Sequence, residues 1–99
     1  MSNLPTRRDH EVAQRVAAFA NPIAEARRRW PDLAFIVRQV ENEPVGARVV
    51  RTEIKATWSI GGQPHELRIL LRAGAPPLAV EDAKKNIARQ ALMNDEYRK

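Results

Sequence analysis

Residues able to do chemistry are few in this chain, and their spacing keeps them apart. His10 and His65 are its two histidines, and neither has a second histidine or a carboxylate at a metal-ligand spacing. His10-Glu11 opens like the helical zinc-protease motif, but Gln14 stands where the second histidine belongs. The two serines are Ser2, near the start, and Ser59, inside an alternating segment, and neither sits in a glycine-flanked nucleophile elbow. Gly61-Gly62 lacks the lysine and following helix of a phosphate-binding loop. Glu81 and Asp82 are adjacent on a helical segment, so their side chains diverge by about 100° and do not cooperate as an acid–base pair. Cysteine is absent, which excludes disulfides and thiolate metal sites. These residues predict a domain with no catalytic site, no metal and no cofactor.

What the chain does carry is positive charge. Lysine and arginine number 17 against 12 acidic residues, a net charge of +5. Most of the cations are arginine, whose planar fork of donors suits phosphate and carboxylate. Residues 1–30 hold six basic and three acidic groups, 31–60 hold four of each, and 61–99 hold seven and five. This tally places the excess on the terminal segments, which read as helices. An anionic partner fits such a balance, and so does a solvated helix face with no partner.

The elements that would position these charges follow from periodicity. Val12, Val16 and Phe19, with Ala13 and Ala20, fall on one helical face over residues 8–20, with Thr6 or Asp9 as N-cap. Asn21-Pro22 opens a second helix that runs to Trp30, where Pro31 stops it. Its Ile23, Ala26 and Trp30 face inward and Arg27, Arg28 and Arg29 occupy the other sides. Leu33 to Glu41 is rich in β-formers and reads as a strand. Next, Val50, Ile54, Ala56, Trp58 and Ile60 take even positions, with Thr52 among them, and Arg51, Glu53, Lys55, Thr57 and Ser59 take odd ones. That period of two predicts a strand with one face on a core and the other wet. Gly61-Gly62 supplies a tight hairpin turn into a third strand with Leu67, Ile69 and Leu71 inward. After the loop 73–77, a helix over residues 78–97 carries Val80, Ala83, Ile87 and Ala91 as its stripe, with Glu81 and Asp82 expected in its first turn.

The order is helix, helix, strand, strand, strand, helix. It predicts an α+β fold, a three-stranded antiparallel sheet with N- and C-terminal helices packed on one face. With 99 residues there is room for one domain, 8–99, behind a tail over 1–7. No run approaches the roughly 20 apolar residues of a membrane span. With no apolar run behind the first arginines either, the expectation is a cytoplasmic protein without membrane contact. Trp58 belongs to the core face, and so does Trp30. No strand pairs exposed aromatics for base stacking, which speaks against a single-strand reader.

From Asn21 onward the element order resembles a double-stranded RNA-binding domain. Asn21-Pro22-Ile23 would open the first helix of that family, and residues 35–41, 49–60 and 67–72 would be its strands. The segment 79–92 resembles the family's last helix, whose pattern K-K-x-A-K precedes an alanine-rich stripe. Lys84 matches the final lysine of that pattern, while Val80 and Glu81 occupy the places of the two leading ones. Val45-Gly46-Ala47-Arg48 stands where the family has a G-P-x-H loop, with Arg48 in place of the histidine. The resemblance implies recognition of duplex RNA by shape and phosphate contact. Arg27, Arg28, Arg48, Lys84, Lys85 and Arg89 are the residues that would carry it. The alternative is a protein-binding module, such as a small phage-type inhibitor or adaptor docking on a nucleic-acid-handling complex, for which the helix at 8–20 would supply extra surface. A DNA-binding helix-turn-helix over 8–30 fits less well, because Asn21-Pro22 leaves too short a turn and Pro31 cuts the second helix short.

Overall fold

The computed structural model describes residues 6–42 and 49–98. Helix α1 spans Arg7–Ala17, starting one residue and ending three residues before the 8–20 that periodicity predicts. Thr6 is its N-cap: the hydroxyl accepts from the Asp9 amide at 3.1 Å, and the Thr6 amide donates to the Asp9 carboxylate at 2.8 Å. This reciprocal box satisfies two groups a helix start would otherwise leave open. Val12 and Val16 are buried, whereas Ala13 and Ala20 are exposed and leave the predicted stripe. Helix α2, Pro22–Arg29, starts at Asn21, whose side-chain oxygen accepts from the Ala24 amide at 3.1 Å, and ends on Trp30.

Strands β1 (Ala34–Asn42), β2 (Val49–Ile60) and β3 (Gln63–Arg72) form an antiparallel meander in the order β1-β2-β3. Ile60 pairs with Gln63 across Gly61 and Gly62, which take φ values of 56° and 79°. Two successive positive φ angles are what a two-residue hairpin turn matched to strand twist requires. β3 therefore begins four residues before the apolar alternation does, and Pro64 is accommodated because β3 is an edge strand.

Helix α3, Pro77–Arg98, extends over 22 residues and packs against β2, β3 and both other helices. Pro77 is its first residue, so Glu81 and Asp82 lie beyond the first turn, contrary to expectation. Glu81 instead pairs with Lys84 at 3.1 Å. Ala83, Ile87, Ala88, Ala91 and Leu92 join Ile54, Ala56, Trp58, Trp30, Leu33, Ala26 and Val16 in one core between the helices and the even face of β2. Trp30 and Trp58 lie with ring centroids 5.6 Å apart, and His65 stacks on Trp58 at 5.9 Å. The fold class is the one the alternation predicts. Two residues depart from the alternation: inward Val50 is 38% exposed, and Glu53, expected on the wet face, is buried because Arg38 and Arg68 close over its carboxylate.

Candidate nucleic-acid interface

Five of the six predicted cations lie among the described residues, in three situations. Arg27 of α2 and Lys84 of α3 converge on one ring, their charged ends 5.7 and 5.9 Å from the centroid of Phe35 on β1. Three elements meet there: α2 and α3 pack side by side, and each sends one cation to the β1 ring. Phe35 holds both cations through the negative face of its ring, worth about 0.5–1 kcal/mol for each at a partly exposed site. Lys85 and Arg89, one turn apart on α3, are exposed. Arg89 holds the Asn86 side chain at 3.0 Å, and Lys85 makes no hydrogen bond or ion pair with a described residue.

Arg28 is committed elsewhere. It and Arg29 both grip Glu25, at 3.1 and 3.0 Å through their Nε atoms. The hydrogen bonds from Arg28, then those from Arg29, hold the Glu25 carboxyl down to about 2, below its ordinary 4.5. Arg48 and the rest of the loop 45–48 lie outside the described residues.

The residue that sequence reasoning missed is Arg29. Its side chain is only 15% exposed and reaches Glu25, Asp95 at 2.7 Å and Glu96 at 2.9 Å while lying over the Phe19 ring. Arg15 adds a second cation to Glu96 at 3.3 Å. This network ties α1 and α2 to the end of α3. The spacing Glu25–Arg29, one turn apart, was visible in the sequence; the partners 66 and 67 residues away were not. Beside it, the Tyr97 hydroxyl donates to the Asp9 carboxylate, which lowers the Asp9 pKa and raises that of Tyr97.

A shallow hollow near the β2–β3 turn, about 340 Å³ in volume, is lined in part by Asp32, Ser59 and His65. Strand alternation sends Ser59 to the open face of the sheet and His65, paired with Trp58, to the helix-covered face. No hydrogen bond joins them among the described residues. No helix of the described residues is long and apolar enough to cross a membrane. No family model, no curated protein and no solved structure matches the chain.

Proposed function

We propose that this chain is a non-enzymatic binding domain that takes the phosphate backbone of structured or double-stranded RNA on the face shared by α2 and α3. The meeting of Arg27 and Lys84 over Phe35 carries this reading, since it fixes two cations from different helices at one point. Lys85 and Arg89 extend the positive surface along α3, and among the described residues Asn86 alone holds either of them. Contacts of this kind fix position on a duplex without reading bases, and each one releases counterions. Of the carboxylates on this surface, Glu25 and Glu81 are each held by a cation of their own helix, which blunts their repulsion of phosphate, while Asp82, exposed on α3 near Lys85, makes no ion pair with a described residue.

Fluorescence anisotropy with a labelled RNA duplex of about 20 base pairs tests it, because a domain of this kind spans roughly 16. A DNA duplex and a single-stranded RNA serve as comparators across a salt series. The expected result is micromolar binding to duplex RNA that weakens steeply with salt. Reversing Arg27 and Lys85 to glutamate should then lower affinity for all duplex sequences alike and flatten the log–log salt slope by about one per contact. Weak binding indifferent to the type of nucleic acid would falsify the reading.

A further inference from the structure

The face of the sheet turned away from the helices has a charge arrangement of its own. β2 sends Arg51, Glu53, Lys55, Thr57 and Ser59 outward, and the strand register sets their neighbours. Arg51 lies directly opposite Arg72, and Lys55 directly opposite Arg68. Side chains so placed have Cβ atoms about 4.5–5.5 Å apart, and like charges there oppose pairing. Arg38 completes a set of five cations against two carboxylates, Glu53 and Glu66.

Both carboxylates are already engaged. Glu53, with a side chain only 4% exposed, accepts from Arg38 at 3.0 Å and lies 3.7 Å from Arg68. Glu66 lies 4.0 Å from Lys55. Arg51 and Arg72 are exposed, and neither makes an ion pair with a described residue. Two guanidinium groups with no ion-pair partner among the described residues thus sit side by side, Arg51 on the central strand and Arg72 at the end of the edge strand. Folding gains nothing from that juxtaposition, whereas an incoming anion meets two forks at once.

The uncharged residues of the same face decide which anion. Ile36 and Leu70, both 45% exposed, lie on either side of the Lys55–Glu53 row, and Val40 stands opposite Arg51. The face carries aliphatic side chains and, among the described residues, no aromatic ring: Phe35 and Trp58 both point the other way. Single-stranded nucleic acid is held by stacking on rings. A duplex backbone would leave the aliphatic groups unused. Carboxylates interleaved with aliphatic side chains would use both.

We propose that this open sheet face docks an acidic protein segment that also bears leucine- or isoleucine-like side chains. Its carboxylates are taken by Arg51 and Arg72 and its apolar groups by Ile36 and Leu70. The surface is separate from the α2–α3 face, and its test does not depend on RNA binding.

The probe is a short fluorescein-labelled peptide of glutamates with interspersed leucines, titrated into the full chain by anisotropy and by amide chemical shifts. An all-glutamate peptide of equal length and a single-stranded RNA oligomer are competitors. Binding should shift amides of β2 and β3 and be at least several-fold tighter for the leucine-bearing peptide. The double variant Arg51→Glu/Arg72→Glu keeps a like-charge pair within the fold, so it should retain the wild-type spectrum while weakening the peptide about tenfold or more. Arg7→Glu/Arg98→Glu makes the same change in net charge on the helical layer and should leave peptide affinity within about twofold. Equal loss in both double variants, equal binding of the all-glutamate peptide, or displacement of the peptide by the RNA oligomer each overturns the proposal.

Discussion

In the helical layer, Arg29 sits among Glu25, Asp95 and Glu96, Arg28 shares Glu25, and Arg15 shares Glu96. Across the sheet, Arg51 faces Arg72 and Lys55 faces Arg68, with Glu53 buried between the two rows. Both layers are rich in arginine, yet in one the guanidinium groups join elements together and in the other a pair of them is left to solvent. The difference comes from geometry. Helices bring residues one turn apart onto one side, where Glu25 reaches Arg29, and packing two helices adds carboxylates from far along the chain. A sheet face offers each side chain only its cross-strand and diagonal neighbours, and the one carboxylate between the two rows, Glu53, is taken by Arg38 and Arg68.

The largest test of that contrast is Arg29→Met, which keeps the packing stem over Phe19 and removes the charge. It leaves Asp95 without its cation beside Glu25 and Glu96, which keep Arg28 and Arg15, in a site that is mostly out of water. Breaking such a pair from one side costs about 3 kcal/mol. Urea denaturation should show the midpoint falling with an unchanged slope. A loss below about 0.5 kcal/mol would instead put this network on a par with exposed surface pairs and erase the contrast between the layers.

How much of this was legible beforehand depended on range. The β2 alternation and Gly61-Gly62 gave the hairpin and its register, because strand period and positive-φ turns are local. Asn21-Pro22 gave the start of α2 for the same reason. Counting charge by segment pointed to the helices, since the strands from 31 to 60 are neutral in sum. That sum hides the alternation, which sorts Arg38, Arg51, Lys55, Arg68 and Arg72 onto one side. Adding the register would have exposed the Arg51–Arg72 pair from sequence. Which of Lys84 and Lys85 rests on Phe35 was not legible, because it depends on how α3 is rotated over the sheet, and a 100° step separates the two.

Acid titration sharpens the helical half of the contrast. Glu25 is held down to about 2 by Arg28 and Arg29, below its ordinary value of 4.5. A carboxyl so depressed adds stability that is fully present above its ordinary pKa and is lost as pH falls toward the folded value. Thermal midpoints of the wild-type chain and of Glu25→Gln should therefore differ most above about pH 5. The gap should close between 4.5 and 2, where the wild-type side chain takes up its proton. A gap that stays constant over that range would mean the two arginines do not depend on the charge of Glu25.

The smallest effect belongs to the sheet and has the opposite sign. Replacing Arg72 with glutamate turns a repulsive cross-strand pair into an attractive one, so Arg72→Glu should raise stability by about 0.5 kcal/mol. Arg51→Glu should do the same, since it also places a carboxylate opposite an arginine. The double variant restores a like-charge pair and should return close to the wild-type value, so the two gains must not add. Both residues are solvent-exposed, and salt at about 1 M cuts the screening length to roughly 3 Å, which should remove most of the coupling. A double variant as stable as the sum of the singles would mean that Arg51 and Arg72 never felt each other, and the open face would then be an ordinary solvated surface. Non-additive gains that vanish in salt would instead mark a site where the fold tolerates repulsion that a bound carboxylate relieves.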